Sequence, residues 1–210
     1  MTFETLSVPT TIRYQVILPS QEITSVWYAL HGYGQLVSFF SRKFEALNLK
    51  NTLLVFPEGR HRFYLQGSSG RVGASWMTKE WREEDIRWNN ETLNQLHKHI
   101  LLQHPSIRKT SVMGFSQGGA TASRWVVQNT ISFDHFVSWA SVFPPDLENK
   151  ETQLNARVKS FVLGSNDEYF SEQSNLETRL FYEKMGFIIR PFEGKHDIDF
   201  SLLKSLIDEI

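Results

Sequence analysis

The sequence predicts an α/β fold: a single domain over residues 1–210, with a mostly parallel central sheet flanked by helices. Three observations predict it. Short, almost unbroken apolar runs recur along the chain, the pattern of strands buried on both faces. Segments of helical period lie between them, and that alternation builds parallel sheets. Several apolar runs end in glycine-bearing loops, and in open parallel sheets the loops beyond the carboxyl ends of strands form the sites. A length of 210 residues suits one domain. No internal repeat, low-complexity tract or linker divides the chain.

The elements follow in order. Residues 12–18, IRYQVIL, alternate apolar and polar before Pro19 and read as a half-buried edge strand. Residues 26–31, VWYALH, form a buried strand opening into a glycine loop, and residues 36–47 a short helix. Residues 52–56, TLLVF, are a second buried strand that ends at Pro57. Residues 57–81 carry four glycines and no clear period, so they read as a long loop; loops of that length in compact domains are usually functional or disordered. Their aromatic content argues against disorder. From Arg82 to Gln103 the apolar residues Ile86, Leu93, Leu96 and Ile100 recur at helical spacing, and His104-Pro105 ends the helix. Then come a strand at 109–113, a helix at 117–129, strands at 135–139 and 158–163, a helix at 172–184, a strand at 187–192 and a last amphipathic helix at 199–209. A polar loop runs from Phe143 to Asn155.

Composition narrows the function. A net charge of -1 offers no electrostatic case for nucleic acid or an anionic membrane. The absence of cysteine removes disulfides, thiol nucleophiles and thiolate metal sites, and fits a reducing compartment. The N-terminal stretch MTFETLSVPTTIRYQ has neither the basic nor the apolar region of a signal peptide. No apolar run approaches the roughly 18 residues of a membrane span. A cytoplasmic protein acting on a small molecule is the expectation.

The stretch TSVMGFSQGGATASRW, residues 110–125, carries the chemistry. Gly114-Phe115-Ser116-Gln117-Gly118 fits G-x-S-x-G between a strand and a helix. In that motif a sharp turn exposes the serine hydroxyl, and glycines two residues to either side remove Cβ atoms that would clash. The helix N-terminus puts partial positive charge where an oxyanion would form. Gly119, Ala120 and Ala122 let the helix lie close to the sheet. The bland reading of the five residues is a structural turn.

A serine hydroxyl needs a general base, and the base needs an orienting acid. Two histidines follow Ser116. His135 lies within a predicted strand and reads as a core or sheet-face residue. His196, in Glu193-Gly194-Lys195-His196-Asp197, sits in a loop suited to a base; its bland reading is a surface polar histidine. Asp167 follows the strand VKSFVL and is the candidate acid; its other role would be turn chemistry or capping of the next helix. Glu168 competes from the neighbouring position, and Asp146 more weakly from the earlier loop. Asp197 and Asp199 read as caps of the final helix. His31-Gly32-Tyr33-Gly34 suits a second oxyanion donor, so the N–H groups of Tyr33 and Gln117 are the expected pair. His31 reads as structural. In the long loop, Phe63, Tyr64, Trp76 and Met77 form either an apolar substrate wall or a packing layer on the sheet.

Together, Ala29-Leu30-His31-Gly32-Tyr33-Gly34, Gly114-Phe115-Ser116-Gln117-Gly118-Gly119, Gly164 with Asp167, and Gly194-Lys195-His196 resemble the phospholipase/carboxylesterase family of α/β-hydrolases, which includes acyl-protein thioesterases. The resemblance spans roughly residues 25–207. It implies a compact hydrolase without a cap domain, with Ser116, Asp167 and His196 as the triad. Gln35 stands where the family often has an acidic residue, Ala74-Ser75-Trp76-Met77 departs from a W-F-D-like stretch, and Lys195 precedes the histidine. The expected activity is hydrolysis of carboxylic esters through an acyl-enzyme, with no metal or organic cofactor. A thioesterase acting on acyl-protein or acyl-CoA thioesters is the alternative. A non-catalytic ligand-binding protein that keeps the fold is the reading from another class.

Overall fold

The computed structural model describes residues 2–150 and 153–209. Seven strands form the central sheet in the spatial order β1 (Tyr14–Ile17), β3 (Thr52–Pro57), β2 (Ser25–Leu30), β6 (Lys109–Phe115), β7 (Phe133–Trp139), β8 (Ala156–Gly164), β9 (Ile188–Phe192). β1 pairs antiparallel with β3, and every other neighbour is parallel. The apolar runs thus sit where their composition demands. β2, β3 and β6 are buried almost throughout, whereas the alternating β1 lies half-exposed at the edge.

Alternation along the strands divides the flanking layers. Tyr28 of β2 meets His97 of α2 (Arg82–Gln103) and Trp125 of α3 (Gln117–Val127). Ser138 of β7 bonds on that same face to the hydroxyl of Tyr182 in α4 (Glu172–Lys184), whose ring stacks on Phe161 at 3.9 Å. Trp139 turns the other way, to the carbonyl of Asp197 just before α5 (Phe200–Asp208). On that second layer Phe44, in the 3-10 turn Ser41–Leu47, packs edge-on against Phe200 and Phe56. The expected helix over 36–47 therefore divides into α1 (Val37–Phe40) and this 3-10 segment.

Residues 57–81 are not a structureless loop. They hold an antiparallel hairpin, β4 (His61–Gln66) with β5 (Ser69–Ser75). Its strands gave no period because most of β4 is exposed and glycines interrupt β5. The final helix is capped by Asp199, whose Oδ1 accepts Leu202 N–H at 2.8 Å. Asp197 instead pairs with Lys43 at 3.0 Å. The polar run to Asn155 passes through 151 and 152, outside the described residues.

The sheet's order reverses at β2. The chain leaves β2 for β3 on one side, and returns to β6 on the other. The crevice above the carboxyl ends of β2 and β6 is therefore the topological switch point, where such sheets bind ligands.

Burial also sets a pH response. His31, His97 and His135 are each pushed down to about 4, with desolvation the largest cause. A histidine in the unfolded chain protonates near about 6.5. The unfolded state therefore binds more protons between these values, and stability falls as pH drops from about 6.5 towards about 4. The fully enclosed His31 alone accounts for roughly 3 kcal/mol of this loss. Urea unfolding at about pH 7 and about pH 5 should show the lower midpoint at the acid value; equal midpoints would contradict neutral buried histidines.

Candidate active site

Ser116 follows β6 and stands at the N-cap of α3 with φ 53 and ψ -120. That left-handed backbone is unusual for a residue with a side chain and costs of order 1–3 kcal/mol. Its N–H is held by the Trp139 carbonyl at 2.8 Å, and its own carbonyl accepts Gly119 N–H at 2.9 Å. The tightness of the turn explains the flanking glycines. A Cβ on Gly114 would fall on the Gly118 carbonyl, and one on Gly118 would fall on the carbonyls of Leu30 and His31. Only a bare backbone lets the start of α3 touch the end of β2.

The second contact brings the His31-Gly32-Tyr33-Gly34 loop beside the turn. The loop is held from within by Gln35, whose Oε1 accepts Gly32 N–H at 2.8 Å. From outside, the hairpin holds it through Gly34 N–H to the Ala74 carbonyl at 2.9 Å. Tyr33 N–H and Gln117 N–H have no hydrogen-bond partner among the described residues. One of these N–H groups lies in the glycine loop and the other in the first turn of α3, in the segment directly after Ser116.

His31 is fully buried, and both ring nitrogens are used. Nδ1 bonds the Gly32 carbonyl at 2.8 Å and Nε2 accepts Gly59 N–H at 2.9 Å, which fixes the Nδ1–H tautomer. Trp76 stacks on the ring at 5.0 Å, and its Nε1–H donates to the His31 carbonyl at 2.8 Å. Of the four candidate wall residues, Trp76 is 2% exposed and lies beneath the loop as its support. Phe63 and Met77 are half-buried, and Tyr64 is exposed. Phe63 packs on the ring of Tyr33 at 5.2 Å.

Asp167 and His196 meet across two loops. Asp167 Oδ2 lies 2.8 Å from His196 Nδ1, with the carboxylate buried and the imidazole side chain 13% exposed. Oδ1 of the same carboxylate accepts Tyr169 N–H at 3.0 Å. The loops are joined by Ser165 N–H to the Phe192 carbonyl at 3.0 Å and Asn166 N–H to the Gly194 carbonyl at 2.9 Å. Gly164 permits this, because a Cβ there would fall on the Gly194 and Lys195 carbonyls. The His196 ring lies 4.9 Å from that of Phe115, the residue before Ser116, and so stands beside the turn.

The competing residues go elsewhere. Glu168 accepts the main-chain N–H of His196 at 3.2 Å and leaves the ring to Asp167. Asp146 is held by Arg124 and Arg82, and the Arg124 guanidinium lowers its pKa to about 2. His135 is buried in β7, with Nε2 2.8 Å from Ser160 Oγ.

Sequence reasoning missed two supports and one exposed neighbour of His196. The Gln117 side chain clamps α3 to the end of the hairpin: Oε1 accepts Trp76 N–H and Nε2 donates to the Met77 carbonyl, both at 3.1 Å. Buried Glu58 accepts from Arg62 at 3.0 Å and from Val37 N–H at 3.3 Å. A charged residue between Pro57 and Gly59, directly after a buried strand, was the available signal. Tyr169 lies against His196 at 4.5 Å between ring centres, and an aromatic in a polar loop after the candidate acid was its signal.

The serine hydrolase (FSH1) family model matches residues 26–198. The chain belongs to this family of serine hydrolases. None of the curated proteins matches it significantly. Among solved structures, a carboxylesterase from Mesorhizobium loti has a TM-score of 0.71 at 13% identity, covering 94% of each chain. The esterase PE8 has a TM-score of 0.69 at 16% identity, covering 96% of this chain and 100% of that one. Acyl-protein thioesterase 2 of Zea mays has 0.66 at 15%, covering 94% and 98%. At these identities the likeness is one of fold, and it bears out the α/β-hydrolase architecture expected from the glycine loops.

The strain at Ser116 can be measured. Ser116→Gly should be more stable than Ser116→Ala by about 1 kcal/mol, because glycine enters the left-handed region without its Cβ penalty. Equal denaturant midpoints for the two variants would mean that the turn is relaxed.

Proposed function

We propose that the protein is a serine esterase that cleaves carboxylic esters with Ser116, His196 and Asp167. The observation that carries this reading is the buried Asp167 carboxylate on Nδ1 of His196, whose ring packs on Phe115, the residue before a serine at φ 53. A structural aspartate would satisfy a helix cap or a turn; this one spends an oxygen on the ring of a partly exposed histidine.

The chemistry follows from the bonds already occupied. With Nδ1–H donated to Asp167, Nε2 carries the free lone pair. It takes the proton from Ser116 as Oγ attacks the ester carbonyl. The buried carboxylate stabilises the imidazolium that forms, and does not itself take the proton. Negative charge develops on the former carbonyl oxygen, and the N–H groups of Tyr33 and Gln117 are the donors available to it. The imidazolium then protonates the departing alcohol, and the carbon–oxygen bond breaks. Water, deprotonated by His196, releases the acid and restores Ser116. The site asks for no metal or organic cofactor. The half-exposed Phe63 and Met77 and the exposed Tyr64 remain the candidate apolar wall, with Trp76 beneath them.

A thioester offers the same carbonyl to the same nucleophile, and paired oxyester and thioester substrates of one acyl chain separate the two activities. Ser116→Ala and His196→Ala should each lower kcat by about 10⁴-fold or more, and Asp167→Asn by roughly 10³–10⁴-fold. A fluorophosphonate should label wild type on Ser116 and leave Ser116→Ala unlabelled. Full activity in Ser116→Ala would overturn the assignment.

A further inference from the structure

We propose that Tyr169 is the leaving-group platform of this hydrolase, and that it selects esters whose alcohol carries a flat apolar group, such as a benzyl or aryl group. This rests on the serine-esterase reading above.

Two aromatic rings contact the His196 imidazole: Phe115 at 4.9 Å and Tyr169 at 4.5 Å. Their exposure separates their roles. Phe115 is 3% exposed and belongs to the core, whereas Tyr169 is 75% exposed. The core ring backs the imidazole; the exposed one leaves an aromatic surface uncovered immediately beside it. Asp167 anchors the segment that carries it, since Oδ1 takes the main-chain N–H of Tyr169 while Oδ2 takes the imidazole. One carboxylate therefore holds both the Tyr169 backbone and the His196 ring.

Chemistry decides which part of a substrate meets this surface. Nδ1 is engaged by Asp167, so proton transfer runs through Nε2. The departing oxygen must come within about 3 Å of Nε2 to be protonated as the carbon–oxygen bond breaks. The proton taken from Ser116 leaves on the alcohol, the acyl group stays on Oγ, and the imidazole returns to neutral. Whatever the alcohol oxygen carries then lies next to the neighbours of the imidazole. Phe115 is closed to it, and Tyr169 is open. An aromatic ring offers its face to another ring in stacked or edge-on geometry, a gain that a small alkyl group cannot collect. The other aromatic pair, Tyr33 with Phe63, belongs to the oxyanion loop and hairpin. The two ends of an ester thus meet different walls.

The test keeps the acyl group constant and varies the alcohol. Benzyl and methyl butyrate have alcohols of similar acidity, so intrinsic leaving-group reactivity does not separate them. Wild type should show the higher kcat/KM on benzyl butyrate. Tyr169→Ala should lower kcat/KM for benzyl butyrate by roughly 5- to 20-fold, mainly through KM, with less than about 2-fold change on methyl butyrate. Tyr169→Phe should keep the preference. The pH–rate profile of Tyr169→Ala on methyl butyrate should match wild type, and fluorophosphonate labelling of Ser116 should be unchanged. An equal loss on both esters, or a displaced pH profile, would show that Tyr169 only positions His196 and would overturn the platform. So would a labelled wild type that cleaves methyl butyrate as well as benzyl butyrate. A wild type that cleaves neither ester and resists labelling would remove the esterase reading, and the platform with it.

Discussion

The site depends on one backbone contact: the first turn of α3 pressed against the carbonyls of Leu30 and His31, with nothing at Gly118 to keep them apart. A methyl group there would separate the serine turn from the glycine loop. The Tyr33 and Gln117 N–H groups would then move apart. Both elements start from adjacent parallel strands whose register is fixed by the ladder pairing Leu30 with Gly114. The sheet therefore sets the spacing coarsely, and the missing Cβ sets it finely. The same device recurs at the other end of the crevice, where Gly164 lets the acid loop touch the histidine loop.

Close approach alone would leave loops free to drift, and buried polar bonds remove that freedom. His31 ties the end of β2 to Gly59, Trp76 ties the hairpin to His31, and Gln117 ties α3 to the hairpin. Each of these groups is satisfied without a net charge. Desolvation holds the His31 imidazole neutral, and Trp and Gln cannot ionise. A neutral network beside Ser116 costs less to bury than an ion pair. Charged clamps lie around it: Glu58 with Arg62, and Arg124 with Asp146, which joins α3 to the loop after β7.

Local pattern was enough wherever the pattern itself decides the structure. Arg82–Gln103 and Glu172–Lys184 form helices over the ranges their period and breakers imply, because each has one buried stripe and clear ends. The strands around the site were readable for the same reason. The hairpin was not: a two-stranded ribbon with one solvated strand has no apolar alternation to show, and its pairing is set by Ala74 and Gly34 meeting in space. Within the site, residue type and chain order singled out Ser116, Asp167 and His196, and the fold brings Asp167 and His196 into contact. Trp76 could not be placed from sequence. Whether an aromatic in a glycine-rich stretch lines a surface or supports it depends on its partner, and the partner, His31, lies in a distant segment. Tyr169 was hidden in the same way.

The parts that build the turn at Ser116 differ in kind from those that surround it. The turn, the donor N–H groups and the loop-to-loop ties are backbone features, specified by glycines and strand register. Exposed side chains surround them: Tyr33 on the glycine loop and Tyr169 beside His196. Backbone geometry survives exchange of a surface side chain, and a surface side chain changes without disturbing the core. A site divided this way can keep one reaction while its preference drifts. Solved chains at 13% and 15% identity can accordingly share the architecture while carrying different names, one a carboxylesterase and one an acyl-protein thioesterase. The sequence departures fall on the same division. Gln35 replaces an acid yet still holds Gly32 N–H, so the loop keeps its shape with one charge fewer. The glycines and strand register thus set the backbone around Ser116, while the exposed aromatics beside it are set by no glycine.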